Sequence, residues 1–426
     1  MSVHIAGNTA QPAGTPQPRE PDPDMSTATQ PYAVPGAGSG PRKWVRDRAR
    51  GINLGPLPVL LGIVAIWIVF QLLNDRYLSS RNLSNIVLQA GVTGLLAIGV
   101  VLVLLIGEID LSLGATAGVA ADVLGVGLAD HGWPTPLALI AALATGAAIG
   151  LLQGAIIIWV GVPSFLVTLG GLLAWQGVQL ALLGSVGERR VTDRFVRGIA
   201  NQYLPPVLAW ILLAAAVLGY AAIRIARRRS QSAAGLAPES IGSLAGRVVA
   251  VAVVGVIAVG YLQRYFGVPW LLLILLVVAW LLTVLTRRTP LGRHLYAIGG
   301  NAEASRRAGI PVARTRLIVF VLASGLAGLA GIVAASRQFS VSSGTGGGTL
   351  LLEAIAAAVI GGTSLFGGRG RIFHALLGAL VIVSVSNGLD LLGEPSSVKN
   401  IATGAILVLA VSLDSVTRRR RNAAGE

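Results

Sequence analysis

Cysteine is absent from the 426-residue sequence, which excludes disulfide frameworks, thiolate metal sites and cysteine nucleophiles. Histidine is almost absent: His4, His131, His294 and His374 are far apart and form no His-x-x-x-His pair, so no metal centre is expected. Charge is scarce too. Asp, Glu, Lys and Arg make up 12% of the chain, about half the roughly 25% of a soluble globular protein. Only Lys43 and Lys399 are lysines, and neither follows the glycines of a G-x-x-x-x-G-K-[ST] phosphate loop. The chain is therefore expected to hydrolyse no ATP by itself, to be no enzyme and to need no cofactor.

What remains is apolar: hydrophobic residues are 54% of the sequence and the mean hydropathy is +0.74. Twelve apolar segments can be traced, at 57–73, 87–106, 113–128, 137–160, 165–183, 207–223, 248–262, 270–285, 317–335, 350–360, 373–392 and 398–413. A helical crossing needs about 20 such residues, and no ten-residue alternating strands are present to build a barrel. The pattern predicts an all-α, polytopic transmembrane bundle of 10 to 12 spans in the cell membrane. Segment 350–360 is short enough to be a half-helix buried among its neighbours.

The net charge of +15 is no nucleic-acid signature, because nearly all the arginines fall between or beyond the apolar segments. With the N-terminus placed inside, twenty-three basic residues face the cytoplasm, among them Arg224, Arg227 to Arg229, Arg287, Arg288, Arg306 and Arg307, against nine outside. Positively charged loops stay inside, which predicts cytoplasmic N- and C-termini. The discordant stretch is 185–206, with four arginines on the outer face. Residues 1–50 read as a disordered, basic and Pro-rich cytoplasmic tail, with no apolar run after Met1 to suggest a cleaved signal peptide. Residues 51–417 read as the membrane domain and 418–426 as a second basic tail.

Three polar clusters interrupt the apolar background. The first is Ile298-Gly299-Gly300-Asn301-Ala302-Glu303-Ala304-Ser305-Arg306-Arg307-Ala308-Gly309-Ile310-Pro311. Asn301 suits an N-cap, Glu303 the first turn, Arg306 and Arg307 the last turn, and Gly309 a left-handed stop before Pro311. Gly299 and Gly300 would let the chain turn into this short helix. A face of Ala302, Ser305 and Ala308 could then enter a groove on a cytoplasmic partner, unless the helix is an ordinary capped connector. The second cluster, Gly107-Glu108-Ile109-Asp110-Leu111-Ser112, brings carboxylates to a membrane-embedded turn, which suggests function; Asp110 or Ser112 could instead cap the next helix. The third, Gly361-Gly362-Thr363-Ser364-Leu365-Phe366-Gly367-Gly368, suggests a tight turn, with a phosphate loop disfavoured by the missing lysine. Gln89, Asp122, Gln153, Gln176, Gln179, Glu353, Asn387 and Asp390 are polar residues inside apolar segments, expected either to line a polar path or to bond between helices. Gly325, Gly328 and Gly331 would allow close helix packing.

Ile109-Asp110-Leu111-Ser112, Val162-Pro163-Ser164-Phe165-Leu166-Val167-Thr168-Leu169, Tyr296-Ala297-Ile298-Gly299-Gly300-Asn301 and Ile360-Gly361-Gly362-Thr363-Ser364-Leu365 occur in that order. Together they resemble the inner-membrane permeases of bacterial monosaccharide ABC importers of the ribose, xylose and galactose type, grouped with branched-chain amino acid permeases. The likeness covers about residues 55–417 and is strongest to the xylose-type branch, whose longer members share the basic loop 224–247. Glu353 stands where the family usually has aspartate, and the long N-terminal tail is atypical. The resemblance implies a homodimeric permease with a cytoplasmic ABC ATPase and an extracytoplasmic sugar-binding protein. It implies that Gly299, Gly300, Asn301, Glu303, Arg306, Arg307 and Gly309 form the ATPase-coupling loop. It makes Glu108, Asp110, Ser112, Ser164, Thr168, Glu353, Thr363 and Asn387 candidates for motif or pathway roles. The alternatives are an ion-coupled secondary transporter of a small polar solute, which needs an ionisable relay such as Asp122, Glu353 and Asp390, and a proton-pump subunit, which would need buried lysines.

Overall fold

A computed structural model of the protein describes residues 57–423; the tail expected at 1–50 lies outside them. Every apolar segment is helical. These helices are α1 (Leu57–Leu73), α2 (Ser80–Leu105), α3 (Leu113–Ala129), α4 (Thr135–Val160), α5 (Ser164–Leu183), α7 (Pro206–Ala233), α8 (Ile241–Leu262), α9 (Trp270–Arg288), α12 (Val312–Gln338), α13 (Leu350–Ile360), α14 (Ile372–Leu391) and α15 (Ser396–Ala423). Between them lie three short helices, α6 (Arg194–Asn201), α10 (Pro290–Gly300) and α11 (Ala302–Arg307). Among the described residues, α2, α4, α5, α7, α8, α9, α12 and α14 are long and apolar enough to cross a membrane. The apolar helices α1, α3, α13 and 396–412 of α15 are shorter. The expected all-helical, multi-pass architecture is what the chain adopts. The backbone of α15 continues unbroken past 417 to Ala423.

The centre of the bundle is α2, whose N-cap Ser79 accepts a hydrogen bond from the Asn82 amide. It packs against α9, α12, α13 and α14, while α12 also lies along α3 and α4. Lipid supplies no hydrophobic drive for helix association, so such contacts depend on close approach of small residues. Gly331 lies so near α3 that a Cβ would overlap the Ala117 carbonyl oxygen, and Gly328 lies near the Ala142 carbonyl on α4. Gly325, expected to share this role, faces open space.

Connections sort to two ends. At one end, Arg189 of β1 (Glu188–Arg190) pairs with Val341 of β2 (Ser340–Ser342) in an antiparallel ribbon, the only sheet among the described residues. Here too are the 130–135 turn, tied by Arg189 Nε to Asp130 at 2.7 Å, and α6, whose N-cap Asp193 also accepts from Thr135 Oγ1 at 2.7 Å. The discordant arginines of 185–206 thus belong to a folded segment: Arg189 is ion-paired and Arg197 lies over the Phe339 ring, 4.5 Å from its centroid. The opposite end holds α10, α11, the 107–112 connection and the 361–371 turn, joined where the Gly368 amide donates to the Leu105 carbonyl at 3.0 Å.

Candidate translocation cavity and coupling region

The α11 end is where the sequence motifs meet. Asn301 caps α11, its side chain accepting from the Ala304 amide at 2.9 Å, and Glu303 pairs with Arg306 at 3.0 Å and Arg307 at 3.3 Å. Gly309 adopts φ 81°, and the Ile310 amide closes the helix on the Ser305 carbonyl at 3.0 Å. Two expectations need correction. Gly299 and Gly300 form no open turn; they close α10. Gly299 is required for another reason: a Cβ there would overlap the Leu105 carbonyl oxygen and the Gly368 amide, while Gly300 has free space. The expected small-residue face is split, with only Ala308 of its three residues exposed. Ser305 is buried and Ala302 half-buried against the bundle, and the exposed face carries Glu303, Ala304, Arg306, Arg307 and Ala308, because α11 rests on the start of α12.

Behind α11, Arg316 of α12 reaches Glu108 at 2.9 Å, with both side chains mostly buried. The two motifs around Asp110 and Ser164 interlock through backbone groups. The Ile109 amide donates to Ser164 Oγ at 3.3 Å, and the Leu111 amide donates to Thr168 Oγ1 at 3.1 Å. Ser112 donates its amide to Asp110 Oδ1 at 2.8 Å, and its hydroxyl lies 2.7 Å from the same oxygen and 2.9 Å from Gln153 Oε1. Ser112 stands at the N-cap of α3 but its side chain makes no cap bond, and Asp110 is engaged at the Ser112 amide instead. In this connection between helices, burial pushes the Asp110 carboxyl up to about 6, opposed by the Ser112 hydrogen bonds. Its Oδ2 and Gln153 Nε2 have no hydrogen-bond partner.

The remaining candidates are scattered. Thr363 is buried in the 361–371 turn with its hydroxyl unpartnered. Asn387 Oδ1 accepts from Asn82 Nδ2 at 2.7 Å, a buried α14–α2 clamp. Asp122 accepts from Gln179 Nε2 at 3.1 Å, which also reaches the Thr345 carbonyl. Gln176 is exposed on α5.

Of the motif and pathway candidates only Glu353 opens onto the cavity in the ribbon-end half of the bundle, where it is joined by the intramembrane polar residues Gln89 and Asp390. This space, about 390 Å3, lies between α2, the end of α12, the start of α13 and the end of α14. Gln89, Thr93, Arg337, Glu353 and Asp390 line it together with the glycine-rich stretch 344–348. Thr349 Oγ1 donates to Glu353 Oε1 at 3.1 Å, and Lys399 pairs with Asp390. Arg337 and the glycines of the Gly344-Thr345-Gly346-Gly347-Gly348 run are lining residues that none of the sequence motifs includes. The run itself was the available signal, because glycines let backbone polar groups reach a cavity unobstructed. No group of three or more His, Cys, Asp or Glu able to hold a metal occurs among the described residues.

The sequence profile described as "Branched-chain amino acid transport system / permease component" matches residues 82–411. The chain belongs to this permease family. It is 37% identical over 374 residues to the xylose transport system permease protein XylH of Escherichia coli (strain K12), covering 87% of this chain and 94% of that protein. It is 32% identical over 364 residues to the ribose import permease protein RbsC of the same organism, covering 84% and 92%. With the autoinducer 2 import system permease protein LsrC of Salmonella typhi it shares 31% over 360 residues, covering 84% and 85%. No solved structure matches. The protein is thus a permease, a multi-pass protein of the cell membrane and a transport subunit rather than an enzyme.

Proposed function

We propose that this permease is the membrane subunit of a binding-protein-dependent ABC importer that passes a monosaccharide, xylose or a similar sugar. The observation that carries the reading is the near-full-length likeness to a xylose permease. Two features of the bundle support it. The cavity lined by Gln89, Arg337, Glu353 and Asp390 falls within the ~300–1,000 Å3 of small-molecule sites, and its amide, guanidinium and carboxylate groups suit a polyhydroxylated solute. At the other end, α11 is a capped helix with an exposed charged face, suited to an ATPase subunit that supplies the missing phosphate loop. In this reading Gly299 to Gly309 transmit ATPase movement, and Glu108 with Arg316 joins α11's neighbour α12 to the 107–112 connection. In the same reading the α11 end and both termini are cytoplasmic, and a second copy of the chain completes the pathway.

The test is sugar uptake by proteoliposomes. Labelled xylose should accumulate only with this chain, the ATPase subunit, the binding protein and ATP together. Glu353→Gln and Arg337→Gln should cut uptake at least several-fold with normal membrane abundance. Accumulation by this chain alone under a proton gradient would defeat the reading in favour of an ion-coupled transporter. A periplasmic signal from a reporter fused after Glu426 would defeat the assigned orientation.

A further inference from the structure

The α7–α8 hairpin carries a feature that the proposed function does not use. Among their described residues only Ala209 of α7 and Leu262 of α8 are buried, so the flanks of the pair are open. At the turn end the two helices enclose a cavity of about 380 Å3 lined by Arg224, Arg227, Arg228, Gln231, Glu239 and Arg247. Four arginines thus face one carboxylate. Glu239 is shared by Arg224 and by Arg247, the latter at 2.8 Å, and its backbone carbonyl accepts from Arg228 Nε at 2.9 Å. Positive charge remains in excess, and Arg224 Nε is buried without a hydrogen-bond partner.

The position of the cavity along the helices identifies its ligand. The apolar run of α7 ends at Ile223, directly before Arg224, and that of α8 begins at Val248, directly after Arg247. Arg224 and Arg247 therefore mark the boundary between hydrocarbon and headgroups. Immediately on the apolar side, Ile223 and Val249 are exposed. A ligand here meets guanidinium groups at one level and open apolar helix flank at the next. A free anion uses only the first; a phospholipid uses both. Basic pockets between helices at this depth bind anionic headgroups.

We propose that the arginine cavity of the α7–α8 hairpin binds the headgroup of an anionic phospholipid whose acyl chains lie along the exposed flanks of the two helices. The proposal needs only that the chain spans a membrane, and it stands apart from the sugar and the ATPase.

The experiment uses the full-length purified chain in a neutral detergent. Phosphatidylglycerol, phosphatidylcholine or inorganic phosphate is added, and retained lipid is counted by native mass spectrometry alongside thermal stability, which rises with any ligand selective for the folded state. Phosphatidylglycerol should be retained and stabilise, phosphatidylcholine less so, and inorganic phosphate at millimolar levels should not reproduce the shift. Arg227→Gln with Arg228→Gln should weaken phosphatidylglycerol retention about tenfold or more. Arg227→Gln alone, which leaves the Arg228–Glu239 bond in place, should give a smaller loss in the same direction. Arg288→Gln with Arg293→Gln, outside the cavity, should leave retention unchanged. Equal retention by all variants overturns the proposal. So does an equal shift with inorganic phosphate, which would make this a free-anion site.

Discussion

Helices α2 and α8 are almost equally apolar, with mean hydropathies of 2.4 and 2.2 over their most apolar eighteen residues, yet 83% of that window is buried in α2 and none in α8. In water such a contrast would be unsustainable, because exposed apolar area is costly. In a bilayer hydropathy decides only that a segment enters; what it meets there is decided by shape and polar anchors. The α2 neighbourhood has both: Gly331 and Gly378 touch neighbouring backbone, and Asn82 and Asn387 lock α2 to α14. The hairpin has glycines as well, but Gly255 meets only the flexible end of the Leu213 side chain on α7, and Gly219, Gly242 and Gly246 face nothing within 4 Å.

The sharpest way to break this comparison is one substitution made in both places. Gly331→Val forces a side chain into the Ala117 carbonyl; with backbone as the obstacle, the cost should reach or exceed the ~1–3 kcal/mol of ordinary overpacking. Thermal unfolding in detergent should show a large drop or no folded protein. Gly246→Val meets open space and should change stability by less than about 0.5 kcal/mol. Similar losses at both sites would mean that the hairpin is packed after all.

A smaller effect is expected from polar anchors. Thr168→Val keeps the shape but orphans the Leu111 amide, which should cost ~1–3 kcal/mol. Ser243→Ala in the hairpin removes an exposed bond to Glu239 and should lie within the scatter of repeated unfolding scans. The smallest contrast concerns ion pairs. A double-mutant cycle on Glu108 and Arg316, mostly buried, should give a coupling of about 1 kcal/mol or more, and one on the exposed Glu303 and Arg306 about 0.3–0.5 kcal/mol. Equal couplings would remove Glu108–Arg316 from the list of fixed points at the α11 end.

The same contrast explains what could be read from residues alone. Length and hydropathy located all twelve apolar helices, since each must satisfy its own backbone in lipid. Asn301, Glu303, Arg307 and Gly309 delimited α11, because capping is local chemistry. Neighbours were not legible. That Gly299 is pressed against Leu105, or that Ser164 and Thr168 serve the backbone at Ile109 and Leu111, depends on contacts more than fifty residues apart. Gln89, Glu353 and Asp390 stand out singly as polar residues in apolar segments, but that they share one cavity with Arg337 was not legible, because the four come from four helices. The β1–β2 ribbon is three residues per strand, too short for alternation to register.

The shortness of α13 has a consequence for the thickness of the barrier. Its 11 residues extend about 16 Å, roughly half of the ~30 Å hydrocarbon layer. The 344–349 stretch and the cavity beside it continue from its first turn. Under the proposed function, a solute resting against Glu353 would face only the depth of α13, about half of the insulating layer, so the stroke that releases it would need to span a few turns of helix rather than the full bundle.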